Sequence, residues 1–306
     1  MLPAGVLICL LTACQSESPA PGPGPAPPAP PPFSVPPGLS PALTSMLQGL
    51  PAYLTQALQA NQDLLPRNPQ STSYIQAKIG MLQDPALANA IVAASRWVEG
   101  QVMSANGRAV PIVCVFPAEA MRAEAVAAAR TLEGVLPILE SFFDTPFTTA
   151  VVRVWYGFVI GNSGGGGVIY TEDRATYESR TPATRLPYDA ILGHELGHSY
   201  VGNESLNQFL EMYAYNVIRT GSTDPAQWTF TRNWVAGLAT NQDSAAVMDI
   251  YQLVGHDVLR QSYRAIRPLF PAYGQPLSQA VIQAFVAPVP EPQKAQVSAK
   301  LARVMF

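Results

Sequence analysis

His194-Glu195-Leu196-Gly197-His198 places two imidazoles and a carboxylate within a single helical turn. Histidines four apart on a helix aim at the same point, and a glutamate beside one of them can act as a base; together they form the H-E-x-x-H zinc-hydrolase pattern. The chain carries only three histidines, so two at this spacing make a specific signal. The competing reading is a buried helix with two hydrogen-bonded histidines and no metal. Chemically, zinc in such a site lowers the pKa of bound water to about 7 and polarises a carbonyl. Glu195 would then take the water's proton and pass it to a leaving amine.

The elements that must position these residues are legible nearby. Pro187 suits the first turn of a helix, where its missing N–H costs nothing. A helix is expected from Tyr188 to Val201, closed by Gly202 as a left-handed cap. It carries apolar residues on every side (Ile191, Leu192, Leu196, Tyr200, Val201), as a helix inside a core does. Gly193 and Gly197 suggest close approach of another backbone, or simply tolerated small residues. A second helix is expected to open with Ser205 and Gln208 as a capping box and to continue through Leu206, Phe209, Leu210, Tyr213 and Val217. Glu211 is the only charged residue between Glu204 and Arg219. A carboxylate in an apolar run needs a partner or a metal, so Glu211 is the expected third zinc ligand. Glu204, read as a loop residue ahead of the cap, is the rival.

His194 to Asn203 (H-E-L-G-H-S-Y-V-G-N) resembles the motif segment of aminopeptidase-N-type gluzincin metallopeptidases. Gln208 to Ala214 (Q-F-L-E-M-Y-A) is similar to that family's W-L-x-E-G-x-A segment. The resemblance covers roughly Val110 to Phe306. It implies an α+β fold: a thermolysin-like zincin domain with a small mixed sheet, the HExxH helix and a mostly helical C-terminal lobe. It also implies Zn2+ held by His194, His198 and Glu211, with Glu195 activating water. Three departures accompany it. The interval from His198 to Glu211 is short, and no tyrosine near Thr240 to Ala246 matches the residue that stabilises the oxyanion. Gly164-Gly165-Gly166-Gly167-Val168-Ile169-Tyr170 stands where the family has G-x-M-E-N, whose glutamate holds a substrate's amino terminus. Gly165, Gly166 and Gly167 are therefore expected to offer main chain to an extended peptide, giving cleavage within peptides; the alternative is an aminopeptidase. A different alternative is a degenerate fold that binds partners without hydrolysis, against which the intact Glu195 argues.

Other site roles stay open from the residues alone. Asn216, Asp243 and Asp249 are candidates to orient the histidines. Tyr200, Tyr213, Tyr251 and Tyr263 are candidates for the oxyanion, among twelve tyrosines. His256 reads as a helix-terminus residue.

Residues 1–14 resemble a bacterial lipoprotein signal. Ala4 to Leu11 is a short apolar run, too short to span a bilayer. Leu11-Thr12-Ala13-Cys14 resembles a lipobox, making Cys14 the expected lipidation site. The run lacks the usual Lys or Arg, and the natural start is expected further upstream. The expected location is the bacterial cell envelope, facing the periplasm or the cell exterior. Residues 15–39 form a tether: Pro19 to Pro37 holds eleven prolines among alanine and glycine, a polyproline-II spacer reaching about 60 Å. Cys114, in Ile112-Val113-Cys114-Val115-Phe116, is then the one cysteine of the mature chain and reads as a buried strand residue. With net charge −3 and no basic cluster, nucleic acid is excluded as a partner. The expected partners are a peptide or protein substrate and, through Cys14, a membrane.

The folded part divides into a helical region at 40–105 and the metallopeptidase-like domain at 106–306. Leu43 to Gln101 reads as helical with a break at Asn68 to Ser73. A strand at Val110 to Phe116, a helix at Glu119 to Phe143, a strand at Ala150 to Ile160 and the glycine turn follow. Ala245 to Tyr263 and Ser278 to Phe285 read as helices.

Overall fold

A computed structural model describes residues 32–180, 187–228, 242–271, 276–302 and 304. Cys14 and most of the tether lie outside them. Residues from Pro32 onward belong to one compact unit. Phe33, Val35 and Leu39, expected to belong to the tether, pack against the N-terminal helices.

Five strands form a mixed sheet: β1 (Trp97–Met103), β2 (Ala109–Val115), β3 (Val152–Tyr156), β4 (Asn162–Gly165) and β5 (Val168–Thr171), in the order β1-β2-β3-β5-β4. The inner pairs β2/β3 and β3/β5 are parallel, and the two outer pairs are antiparallel. The β2–β3 crossover is made by α4 (Arg122–Phe143). Side-chain alternation along β2 explains its continuous apolar run, since a central strand is covered on both faces. Ile112, Cys114 and Phe116 face α4 and the helices behind it, while Val113 and Val115 face the N-terminal helices. Cys114 is fully buried, and burial pushes its thiol far up, as expected for an inert core residue.

Three helices, α1 (Pro41–Leu64), α2 (Thr72–Leu82) and α3 (Leu87–Ala93), cover that second face. Leu43, Leu47, Leu50 and Leu54 of α1 are buried there, and Tyr53 stacks on Trp155 at 3.9 Å between centroids. The helical expectation ran too far here. Trp97 to Gln101 belongs to β1, because Ser95 takes a left-handed φ of 48° and ends the helical path. The spacing of Ile91, Val92, Ser95 and Val98 mimicked a helix across that break. Strands β4 and β5 also escaped notice, being four residues each, with glycine making up half of β4. Gly166 and Gly167, at φ 55° and 79°, make the two-residue turn between them, a left-handed pair that glycine adopts without strain.

On the first face, α4 packs with α6 (Tyr188–Gly197) and α7 (Glu204–Thr220), α5 (Arg174–Arg180) lying before them. Helices Gln242–Val254, His256–Ile266, Gln279–Val286 and Glu291–Leu301 complete a helical C-terminal part. The continuous helix expected over Ala245 to Tyr263 is broken by Gly255, which takes a φ of 79°. The described architecture is thus α+β with a small mixed sheet.

Candidate metal centre

Helix α6 ends earlier than its apolar pattern suggests. Gly197 is its last residue, and Ser199, Tyr200 and Val201 close short turns back onto Leu196 and Gly197. Gly202 is not in the left-handed region, so it is no cap. This early stop lets the chain reverse within a few residues into α7. The cap of α7 is Asn203, whose side-chain oxygen accepts the Leu206 N–H at 3.1 Å. The expected Ser205–Gln208 capping box does not form the helix start; Ser205 is already inside the helix and buried. Asn207, one turn on, donates to the His194 carbonyl at 2.8 Å. A Cβ on Gly197 would lie 2.1 Å from the Asn207 side-chain oxygen, which is why α6 carries glycine where α7 crosses. Gly193 meets only ordinary contacts.

The reversal brings Glu204, as first residue of α7, against both histidines. His194 Nε2 lies 3.1 Å from one Glu204 oxygen, His198 Nε2 lies 3.3 Å from the other, and the two Nε2 atoms are 3.1 Å apart. His194, His198 and Glu204 are the metal-capable cluster among the described residues. Glu211, the expected third ligand, is on the other side of the His194 ring. Its carboxylate meets Nδ1 at 3.0 Å and is 2% exposed. The physical reason is helix phase. With α7 starting at Glu204, Glu211 falls two turns deeper, beneath the imidazole instead of beside its Nε2 atom. The expected cap at Ser205 put Glu204 in a loop, whereas Glu204 is the first residue of α7. The His198 Nδ1 faces the Val201 carbonyl at 3.2 Å.

These partners decide what the centre can hold. With Nδ1–H of His194 given to Glu211 and Nδ1–H of His198 given to Val201, each Nε2 presents a lone pair. The two lone pairs and the Glu204 carboxylate then converge with no donor among them. Such a set needs a cation or extra protons. Two nitrogens and an oxygen at zinc bond lengths in tetrahedral array sit about 3.4 Å apart, close to the separations seen here. The donor set therefore fits zinc, with a fourth position left for water. When protons instead of a metal occupy the two Nε2 atoms, burial works against charge on Glu204, but hydrogen bonds from His194 and His198 outweigh it and hold the carboxyl at about 2.

Glu195 is 4% exposed, and its Oε2 is buried with no hydrogen-bond partner. Burial pushes its carboxyl up to about 7, against the pull of the two histidines. Gly164 of β4 lies directly on it: a Cβ there would come within 2.7 Å of the Glu195 carbonyl oxygen and 3.0 Å of Oε2. Glu195, His194, His198 and Glu204 share a cavity of about 590 Å³ with Asn162 to Gly166 and Phe270. Of the three glycines expected to bind substrate, Gly165 and Gly166 line this cavity. Gly167 does not; it turns toward Thr149 and Val151, and its N–H goes to the Ser199 hydroxyl. Strand β4 pairs only with β5 among the described residues, leaving its outer edge free.

None of the four candidate tyrosines lines the cavity. Tyr213 bonds His256, Tyr251 bonds the Thr223 carbonyl and Tyr263 bonds the Leu206 carbonyl, while the Tyr200 hydroxyl is buried without a partner. His256 stands at a helix start beside Asp257, away from the centre. Asn216 donates back to the Met212 carbonyl and Asp249 pairs with Lys300; the Asp243 side chain lies outside the described residues. Asn203, Asn207, the Val201 carbonyl and Phe270 went unnoticed in the sequence. Only Asn203 carried a signal, as a capping residue before a helical pattern.

No family model matches the chain, and no curated protein matches it. Among solved structures, it is similar to Legionella pneumophila aminopeptidase A in complex with aspartic acid. The identity is 13% and the TM-score 0.49, covering 68% of this chain and 28% of that one. It is also similar to a two-domain M1 zinc metallopeptidase, a mutant bound to L-arginine, at 14% identity and TM-score 0.42, covering 67% of this chain and 50% of that one. The chain thus spans about a quarter and half of these proteins. At such identities and scores, neither likeness assigns an activity.

Proposed function

We propose that this chain is a zinc-dependent metallopeptidase, a hydrolase that cleaves peptide bonds within exported peptides or proteins. The observation that carries the reading is the convergence of His194 Nε2, His198 Nε2 and Glu204 beside a buried Glu195 oxygen that has no partner. His194, His198 and Glu204 would hold the metal, and Glu211 would orient His194. The chemistry zinc supplies in such a site is a water acidic enough to ionise near neutral pH and a polarised carbonyl. Glu195 accepts the water's proton as its oxygen bonds the carbonyl carbon. The same carboxyl returns that proton to the nitrogen as the C–N bond breaks. The edge of β4 that no described strand pairs offers main-chain groups to an extended substrate, and Gly164 sets that edge against Glu195.

Gly165 and Gly166 bring no carboxylate to the cavity, so nothing in that segment demands a free α-amino group. Protein beginning at Pro32, where the compact unit starts, is therefore expected to bind one zinc by elemental analysis. It is also expected to cleave acetylated and free peptides at comparable rates. Cleavage of the free form alone, one residue at a time, would make it an aminopeptidase. A metal-free protein would return the two histidines to the core.

Cellular placement forms part of the proposal. Among the described residues no helix is long and apolar enough to cross a membrane. We propose that Cys14 carries lipid and that the domain stands in the cell envelope, supported by the Leu11-Thr12-Ala13-Cys14 pattern and the proline-rich stretch after it. Fatty-acid labelling in a bacterial host should mark the full chain and vanish in Cys14→Ser; equal labelling of both would remove the anchor.

A further inference from the structure

Phe270 is a shared wall. On one side it lines the cavity of the metal centre; on the other it lines a second cavity of about 410 Å³, walled also by Ser199, Arg264 and Arg267. Ser199 directly follows His198, so the two cavities adjoin at the end of the histidine helix.

The basic residues on this flank are not equivalent. Arg260, Arg264 and Arg267 recur at helical spacing and so share a face. Arg260 and Arg264 reach the carbonyls of Ser141 and Phe142, the unpaired end of α4 where cations are favoured. Arg264 also stands 3.6 Å from Asp144. Their positions follow from structure alone. Arg267 has no such explanation. Its guanidinium lies 5.2 Å over the Tyr200 ring, and it meets no hydrogen-bond acceptor or carboxylate among the described residues. Stacking holds the planar fork in place and leaves its donors unspent. No acidic side chain lines the second cavity. The one hydrogen bond shown for the Ser199 hydroxyl is an accepted one, from Gly167, so its proton is free to be given.

We propose that this second cavity is a carboxylate-binding subsite, in which Arg267 takes the carboxylate of a bound peptide as a two-pronged partner and Ser199 adds a hydroxyl donor. The proposal rests on the peptide-hydrolase reading and deepens it, because the adjoining cavities make acidic peptides the favoured substrates. The chemistry is shared by two sources, an Asp or Glu side chain and a peptide's terminal carboxylate. A charge-assisted bond of this kind corresponds to about tenfold in affinity.

The test uses the full folded domain carrying Glu195→Gln, loaded with zinc, and fluorescent peptides read by anisotropy. Four peptides share one backbone: neutral with an amidated end, neutral with a free carboxyl end, Glu-containing with an amidated end, and Lys-containing with an amidated end. One of the two carboxylated peptides is expected to bind about tenfold tighter than the neutral amide, and which one identifies the source. Adding Arg267→Ala should bring that ratio near one. Arg267→Glu should invert it toward the Lys peptide, a gain that misfolding cannot produce. Equal binding of all four peptides, or a preference that survives both substitutions, would overturn the subsite. A protein that cleaves no peptide yet shows the Arg267-dependent ratio would lose the hydrolase reading and keep the subsite.

Discussion

Glu195→Gln is expected to leave one zinc per chain and to lower peptide cleavage by about a hundredfold to ten-thousandfold, the usual worth of a positioned general base. The amide has the same shape, so contact with Gly164 above it is preserved. In the present packing, Oε2 has no donor to lose, and the exchange removes little stability. What disappears is the ability to accept a proton from water at the cavity wall. Burial, which pushes this carboxyl up to about 7, is the environment that makes a carboxylate a competent base near neutral pH. Measuring kcat/KM and zinc content on the same preparations separates the outcomes. Cleavage retained in Glu195→Gln with zinc in place would assign proton transfer to another group. Equal inertness of both proteins across a broad peptide library would favour a binding module.

The motif was legible because its information is local. Two histidines and a glutamate within five residues need only a helix to become a site, and Tyr188 to Gly197 forms one. The core strands were legible for a similar reason: Ile112 to Phe116 is apolar throughout because both faces of β2 are covered. What escaped depended on the chain's reversal between helices. Which carboxylate meets the Nε2 atoms and which meets Nδ1 is set by where α7 starts, and two residues of error in that start rotate the helix by more than half a turn. Asn203 capped the helix two positions earlier than Ser205 would have. Strand β4 was hidden because its glycines supply no alternation to read, and β5 because four residues are too few for one, although the backbone of β4 forms one wall of the cavity. Arg267 and Phe270 come from a segment some seventy residues past the motif, and no spacing rule links such distant positions.

Glu204→Ala is expected to strip zinc, whereas Glu211→Gln should weaken it by about ten- to a hundredfold, the range for a residue that orients a ligand. Glu204 faces both Nε2 atoms, so its loss leaves two nitrogens where three donors stood. Glu211 touches only Nδ1 of His194. Its amide still offers an oxygen to that N–H, so the ring keeps its orientation but loses the negative charge that raises its basicity. Glu211→Ala goes further: it leaves the Nδ1–H buried without an acceptor, which costs about 1–3 kcal/mol of stability. Competition titration against a zinc chelator, paired with a thermal melt of each metal-free protein, distinguishes a direct ligand from its support. A direct ligand abolishes zinc binding, whatever it does to the metal-free melt. A supporting carboxylate, buried at 2% exposure, leaves zinc bound but weaker, and its loss to alanine also lowers the metal-free melt. The reverse ranking, with Glu204→Ala retaining zinc and Glu211→Gln losing it, would return the third ligand to the middle of α7 and require the two helices to slide past one another when metal binds.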